Sequence, residues 1–224
     1  MDDHTSAVRW AGYAILASAL MIFVNITLFG AFFGNVPAAD PAAGPTPVER
    51  AAHLSEQWTA LSTLWVIEVG FYTVMAISAT VLVTRTEGGV GWWPRPAAWA
   101  AVAVGATIQV AMYAFMLGGY AAAIPVVGTD PGLLDAMYRS PLVLFYAGNA
   151  AVFAGFGAAY ASEVSTSALV ASRTAWLGAT VCFGAALLLL AVAALGIPFV
   201  AAAPFALLAH VLMAFLGFRI AKSR

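Results

Sequence analysis

The sequence predicts an all-α fold: a polytopic membrane helix bundle with six transmembrane helices, forming one domain over residues 1–224. The chain is 63% hydrophobic and 8% charged, and its mean hydropathy is +0.93. Because these values leave too little polar surface for a soluble globule, the bilayer is the expected solvent for most of the chain. Six apolar runs are each long enough to cross a hydrocarbon core of about 30 Å, which takes roughly 20 helical residues. The spans are predicted at 10–33, 58–83, 97–124, 141–161, 174–195 and 198–220.

Two of these assignments have an alternative. The first run could be a signal peptide, but it is too long for a signal-peptide core and follows an acidic N-terminus, so we expect a retained span. The last two runs are separated only by Gly196 and Ile197 before Pro198. One kinked helix over both runs would overshoot the bilayer about twofold, so two spans are predicted.

The basic residues predict an orientation. With six spans, one side of the membrane carries seven basic residues and the other side carries Arg50 and Arg139. The seven are Arg9, Arg85, Arg95, Arg173, Arg219, Lys222 and Arg224. The positive-inside rule then places both termini in the cytoplasm. The chain is expected to be a multi-pass protein of the cell inner (plasma) membrane.

The two longer loops on the predicted outer side carry helix-start signals. After an extended coil from Pro37 to Pro45, the motif Thr46-Pro47-Val48-Glu49 supplies a capping residue, a proline at the first helical position and a glutamate at the third. A helix is therefore predicted from Pro47 to about Gln57. In the second loop, Thr129 or Asp130 could cap a short helix that reaches Tyr138.

Glu68 is the most informative polar residue, because it lies near the middle of the second apolar run. An ionised carboxylate at the centre of a bilayer costs about 2.5 to 3.5 kcal/mol even on lenient insertion scales. Glu68 should therefore point into the protein, be paired or be protonated.

Polar residues of five spans fall at a similar depth. Counted from the predicted outer ends, they lie about 8 to 15 residues in, or roughly 12 to 22 Å at the helical rise. They are Asn25, Glu68, Gln109, Asn149 and His210. Helical spacing adds Trp65 and Tyr72 to the face of Glu68, Tyr113 to that of Gln109, and Tyr146 to that of Asn149. These nine residues are the predicted ligand-binding set of a pocket near the midplane, open toward the outer side. The alternative is a set of separate interhelical hydrogen bonds that hold the bundle together.

Glu68 and His210 are the pair expected to carry a proton if the pocket exists. For His210 the alternative is a core histidine bonded to a backbone carbonyl. For Glu68 it is a purely structural carboxylate, which is expensive to bury.

Signatures of catalysis, metals and cofactors are missing from the sequence. It contains no His-Glu-x-x-His, Gly-x-Ser-x-Gly or phosphate-binding loop, so no catalytic residue, metal site or cofactor is assigned. The run Gly88-Gly89-Val90-Gly91 precedes two tryptophans and is interpreted as a turn with an interfacial aromatic belt. Cys182 is the only cysteine, which excludes intramolecular disulfides. The net charge of -1 and the scattered arginines offer no basic stripe for nucleic acid.

The overall pattern resembles a group of uncharacterised bacterial six-span integral membrane proteins that carry a domain of unknown function. The residues behind the resemblance are Arg9-Trp10-Ala11-Gly12-Tyr13 at the start of the first span and the stretch from Glu56 to Glu68. The resemblance implies the six-span arrangement, but no activity and no site residue.

Three functional hypotheses remain open at this point. The first is a protein that binds or passes a small apolar molecule or a proton at the Glu68 layer. The second is an intramembrane enzyme, an isomerase or cyclase of a lipid-like substrate, with Glu68 as general acid or base. The third is an accessory subunit of a membrane complex, whose small residues on the fourth and fifth spans, such as Gly155 and Gly178, would meet each other, a second copy or a partner span. The expected partners are membrane lipid, a small apolar ligand, and a homo-oligomer or partner subunit.

Overall fold

The computed structural model describes residues 3–33, 36, 38–39, 45–85, 95–126 and 131–223, and these are almost entirely helical. The helices are α1 (Asp3–Phe33), α2 (Pro47–Glu56), α3 (Trp58–Arg85), α4 (Arg95–Ala123), α5 (Pro131–Thr166), α6 (Ser172–Leu195) and α7 (Ala203–Ala221). Short 3-10 turns cover Ile124–Val126 and Phe199–Ala201. Six helices are long and apolar enough to cross a membrane, so the predicted all-α, six-span fold class is confirmed.

The membrane-length stretches overlap the six predicted runs one by one. They are Ser6–Phe29, Trp58–Arg85, Arg95–Val126, Pro141–Thr166, Ser172–Leu195 and Ala203–Ala221. The last two are separate helices because the chain turns at Gly196, which has a left-handed backbone with φ of 66°. Glycine adopts this conformation without steric cost and commonly ends helices in this way.

The start of α2 follows the predicted capping box. The Thr46 hydroxyl accepts from the backbone N–H of Glu49 at 3.3 Å, and the Glu49 carboxylate accepts from the backbone N–H of Thr46 at 2.7 Å. The backbone N–H groups of Thr46 and Ala39 stabilise the charged carboxylate and lower the pKa of Glu49 from its usual value. The helix ends at Glu56, and a single residue, Gln57, separates it from the start of α3 at Trp58.

The helix α5 differs from the prediction of a short loop helix ending near Tyr138. It runs unbroken from Pro131 to Thr166 with Pro141 inside it. A proline within a helix removes one backbone hydrogen bond, but packing against neighbouring helices lets membrane helices continue through such a site. The predicted caps Thr129 and Asp130 lie outside the described residues. So do the predicted turn 88–91 and most of the predicted coil 37–45.

The six membrane-length helices form a closed ring. Extensive packing joins α1 to α3, α3 to α4, α4 to α5 and α5 to α6. A broad contact between α1 and α7 closes the ring, whereas α6 and α7 touch least. The first and last helices are therefore neighbours, and the polar residues in the middle of the spans can face a shared interior.

Glycines allow backbone-to-backbone approach at two of these interfaces. A Cβ atom on Gly217 of α7 would lie 2.7 Å from the backbone nitrogen of Leu16 on α1. A Cβ atom on Gly105 of α4 would lie 2.6 Å from both the carbonyl oxygen of Gly148 and the backbone nitrogen of Val152 on α5. Any side chain at these positions would force the helix backbones apart.

The small residues predicted to mediate helix contacts on α5 and α6 pack within the chain itself. A Cβ atom on Gly155 would lie 2.7 Å from the carbonyl oxygen of Ala98 on α4, and one on Gly178 of α6 would lie 2.5 Å from the ring of Tyr160 on α5. These faces are therefore covered without a second copy.

The two ends of the bundle have different chemistry. At one end, which we call the Arg95 end, Arg95 of α4 forms an ion pair with Glu163 of α5. At the same end, Arg9 of α1 donates to the carbonyl oxygen of Ala221 at 3.3 Å. The opposite end, which carries α2, is called the α2 end.

Gly105→Leu should lower the stability of the bundle, whereas Gly118→Leu in the same helix should not. Gly105 lies against the α5 backbone, while a Cβ atom on Gly118 would have no atom within 4 Å. Overpacking of this kind typically costs about 1 to 3 kcal/mol. The midpoint of SDS-induced unfolding in detergent micelles measures the effect. Equal midpoints for the two variants would contradict this packing.

Candidate functional site

A cavity of about 480 Å³ lies inside the ring, toward the α2 end. All six membrane-length helices and the Phe199–Ala201 turn contribute to its wall. The lining residues are Ile26, Thr27, Phe29, Trp65, Glu68, Met112, Tyr113, Met116, Pro141, Leu142, Phe145, Tyr146, Asn149, Phe153, Leu189, Phe199, Ala203, Ala206, Leu207 and His210. Most of these side chains are apolar, so the cavity wall is hydrophobic with a few polar groups.

Six of the nine predicted site residues lie on this wall. They are Trp65, Glu68, Tyr113, Tyr146, Asn149 and His210. The other three, Asn25, Tyr72 and Gln109, are buried but do not line the cavity. They act behind the wall, where each donates a hydrogen bond to a side chain or backbone group of a neighbouring helix.

Among the described residues, Glu68 carries the only carboxyl group on the cavity wall, and its side chain is buried. The Nδ2 group of Asn25 donates to Glu68 Oε1 at 2.7 Å and to the carbonyl oxygen of Leu64 at 3.1 Å. Both amide hydrogens of Asn25 are thereby used. Glu68 Oε2 has no hydrogen-bond partner among the described residues, and no described basic side chain pairs with this carboxyl group.

A second polar group joins α3, α4 and α5. The Tyr72 hydroxyl donates to Asn149 Oδ1 at 2.9 Å. The amide groups of Asn149 and Gln109 both donate to the carbonyl oxygen of Phe145, at 3.0 and 2.8 Å. Asn149 is thus held in place by its neighbours, as expected under the alternative that polar residues hold the helices together.

His210 lines the cavity, as predicted for a pocket residue, and is also bonded to a backbone carbonyl, as predicted for a core histidine. Its Nδ1–H donates to the carbonyl oxygen of Ala206 at 2.7 Å, since a carbonyl oxygen can only accept. The ring also meets Phe153 edge to face, with centroids 5.2 Å apart. Nε2 has no partner among the described residues, and the side chain lines the cavity. No hydrogen bond joins His210 to Glu68 within the described part of the chain, so the two groups share a cavity without direct pairing.

The cavity is closed toward the Arg95 end by tightly packed side chains. Along α3 the residues after Glu68 that face inward are Tyr72, Met75 and Ala79, each at most 1% exposed. Phe156 and Tyr160 of α5 are fully buried at the same levels, and the Tyr160 hydroxyl donates to the carbonyl oxygen of Leu212 on α7 at 2.6 Å. In this conformation the cavity is a pocket rather than a continuous passage.

Sequence reasoning missed several wall residues. Leu189 lies in α6, and Phe199 lies in the short turn before α7, where its ring is 6.3 Å from that of Tyr146. Neither position carries a polar or periodic signal that distinguishes it from lipid-facing residues. The short hairpin before Pro198 was the only hint that this turn lies close to the bundle interior.

The site offers acid–base groups but no metal centre. No cluster of three or more His, Cys, Asp or Glu side chains occurs among residues whose side chains the structure describes. A carboxyl oxygen and an imidazole nitrogen without partners can instead accept or donate hydrogen bonds to a bound molecule.

No protein-family model, curated protein or solved structure matches this chain. Function is therefore inferred from the residues that line the cavity.

Replacement of Asn25 by Leu should destabilise the protein, because the Glu68 carboxyl group would lose its described hydrogen bond. Leaving a buried polar group unsatisfied costs about 1 to 3 kcal/mol, whereas replacing both partners by apolar groups can be nearly neutral. The double variant Asn25→Leu/Glu68→Leu should therefore lose less stability than the sum of the two single variants. Unfolding free energies in micelles, combined in a double-mutant cycle, measure the coupling. Strict additivity would show that the pair does not interact.

Proposed function

We propose that this integral membrane protein binds a small, mostly apolar molecule in the 480 Å³ cavity, with a hydrogen-bond donor of that molecule placed against Glu68. The observation that carries the proposal is that Glu68 lines the cavity while its buried Oε2 atom has no partner among the described residues. Ligand sites in proteins are usually concave, largely apolar and about 300 to 1,000 Å³ in volume, with a few placed polar groups.

The hydrogen bonds of Asn25 leave Glu68 Oε2 to be satisfied by a ligand. Both amide hydrogens of Asn25 are engaged, by Glu68 Oε1 and by the Leu64 carbonyl, so Asn25 has no donor left for Glu68 Oε2. A hydroxyl, amine or N–H group on the ligand would satisfy that oxygen and remove its desolvation penalty. Tyr113 and the Nε2 atom of His210 offer further polar contacts on the same wall.

Binding is favoured over passage across the membrane by the packing below the cavity. Met75, Ala79 and Phe156 are fully buried between the cavity and the Arg95 end. A conducting path for a molecule or a proton would need polar or open space at those levels. The accessory-subunit alternative has less support, because Gly155 and Gly178 pack against helices of the same chain.

Enzymatic turnover of the bound molecule is the second candidate. It is favoured by the presence of Glu68, Tyr113 and His210 on one wall, since an isomerase or cyclase of a lipid-like substrate needs positioned proton donors and acceptors. The two candidates share the site and differ in the fate of the ligand.

We also propose that the protein lies in the plasma membrane with its Arg95 end, and hence both termini, in the cytoplasm. Arg9, Arg95, Arg219 and Lys222 all lie at or near that end. Arg50 near the start of α2 is at the opposite end. This distribution agrees with the positive-inside rule.

Glu68→Gln should remove a co-purifying ligand while leaving the fold intact. The amide oxygen of the new side chain would accept from Asn25, which turns its NH₂ group toward the position of Oε2 and replaces an acceptor by a donor. We expect ligand occupancy to fall at least about tenfold, as for loss of one hydrogen bond to a charged group. Native mass spectrometry with lipid extraction of the gently purified protein measures occupancy.

Two further variants serve as a control that should keep the ligand and a control that should exclude it. Ser18→Ala removes a buried hydroxyl that lies outside the cavity and should leave ligand content unchanged. Ala206→Phe places a ring in the cavity and should exclude the ligand by volume. Equal ligand content in all four proteins, or no ligand in any, would contradict the proposal. Chemical conversion of the bound molecule by the wild type, but not by Glu68→Gln, would favour the enzyme.

The orientation predicts which single cysteines a membrane-impermeant maleimide labels in intact cells. In a Cys182→Ala background, a cysteine in place of Val48, which is 53% exposed on α2, should react from outside. A cysteine in place of Lys222, exposed at the end of α7, should react only after the membrane is permeabilised. The reverse pattern would invert the proposed topology.

A further inference from the structure

A second cavity, of about 500 Å³, lies at the Arg95 end of the bundle. It shares no lining residue with the first cavity. Leu82 on its wall follows Glu68 by 14 positions on α3, which is about 21 Å at the helical rise. The two cavities are thus separate sites at opposite levels of the same ring.

The titratable groups on the wall of this second cavity are mostly cationic. They are Arg95 of α4, Glu163 of α5, Arg219 of α7 and Lys222 just after α7. Three cationic side chains and one carboxylate leave two positive charges in excess. A concave basic surface of this kind attracts anions.

The arginines are held in place by a chain of polar contacts. Glu163 is 1% exposed and pairs with Arg95 through one carboxylate oxygen. Its other oxygen accepts from the backbone N–H of Leu169 at 2.7 Å. The carbonyl oxygen of Leu169 in turn accepts from Nε of Arg219 at 2.6 Å. The single carboxylate therefore fixes the turn between α5 and α6, and that turn fixes the second guanidinium group.

Several donors on this wall have no acceptor among the described residues. Arg95 uses Nε and Nη2 in its contacts with Ser162, Glu163 and Thr166, which leaves Nη1 unused. Arg219 uses only Nε, so both of its terminal nitrogens are unused. The Lys222 side chain makes no described hydrogen bond, and its Nζ lies 5.9 Å from the ring centroid of Phe218.

From this arrangement we infer that the cavity at the Arg95 end binds a phosphate group of an anionic ligand. Two guanidinium groups with free terminal N–H donors fit the tetrahedral oxygens of a phosphate, and Lys222 adds a point charge. The same wall carries apolar residues of three helices, Val8, Leu82, Leu216 and Ile220, which suit the glycerol and first acyl carbons of a phospholipid. The phosphate could belong to an anionic lipid headgroup or to a soluble phosphate compound, and basic pockets between membrane helices commonly take such headgroups.

Binding of dioleoylphosphatidylglycerol to the full-length protein in micelles, followed by native mass spectrometry, tests this inference. Lys222→Gln and Arg219→Gln should each weaken phosphatidylglycerol binding at least about tenfold, as for loss of a charge-assisted contact. Arg173→Gln is the matched control, because Arg173 is an exposed cation at the start of α6, at the same end of the bundle, but does not line the cavity. The Lys222 side chain makes no described hydrogen bond, so the Lys222→Gln protein is expected to fold normally.

Inorganic phosphate and dioleoylphosphatidylcholine distinguish the source of the phosphate. If the site takes lipid, phosphatidylglycerol binds more tightly than phosphatidylcholine, and millimolar phosphate neither displaces it nor raises the unfolding temperature. If the site takes a soluble compound, phosphate raises the unfolding temperature of the wild type and Arg173→Gln, but not of Lys222→Gln or Arg219→Gln. The inference is overturned if neither probe distinguishes the wild type from these two variants, or if Arg173→Gln loses as much binding as they do.

Discussion

Glu68 lies in the middle of a membrane-length helix, where its carboxyl group must find hydrogen bonds inside the protein. The amide of Asn25 supplies one such bond and also caps the Leu64 carbonyl, so α1 is tied to α3 at the depth of the cavity. On the far side, the Tyr72 hydroxyl one turn along α3 reaches Asn149, which ties α3 to α5. The rotation of α3 about its own axis is therefore set by polar bonds on both flanks of Glu68. The cavity wall is the surface that this rotation leaves facing inward.

Close packing then decides where space remains. Gly105 brings α4 onto the α5 backbone, and Gly12 and Gly217 do the same for α1 and α7. The contact between Gly12 and Gly217 lies below the cavity, in the half of the bundle that faces the Arg95 end. Larger side chains separate the helices near the α2 end, where Phe29, Tyr146 and Phe199 stand around the opening instead of filling it. Buried side chains such as Met75 and Phe156 fill the level between this cavity and the second cavity at the Arg95 end.

Hydropathy and helix length were enough to predict the six spans, and the motif at Thr46 and Glu49 was enough to predict the start of α2. The depth of the polar residues was also readable, since Glu68, Asn149 and His210 do share one cavity. The sequence did not predict which face of each helix points into the bundle, because lipid and protein interior are equally apolar and leave little amphipathic pattern in a membrane helix. For that reason Tyr72 and Gln109 were expected on the wall but lie behind it, and Leu189 of α6 was not expected at all.

The continuation of α5 through Pro141 was missed for a related reason. A proline ends helices in water more readily than between packed membrane helices.

The unpaired oxygen of Glu68 is the part of the structure that packing does not explain. A buried pair of polar residues can often be replaced by apolar residues of similar volume at little cost in stability. Asn25 and Glu68 are therefore not required merely to hold α1 against α3, a task that glycine contacts and apolar packing perform elsewhere in the same bundle. A carboxyl group on a cavity-lining residue, with one oxygen bonded and the other without a partner among the described residues, is, however, suited to recognition of a donor group, since the bonded oxygen fixes the position of the second one. Under the proposed function, the free energy lost by leaving that oxygen unsatisfied in the empty protein would be regained when a ligand donor occupies it, and a purely apolar molecule would leave it unsatisfied. The site should therefore discriminate by the polarity of one group on an otherwise apolar ligand.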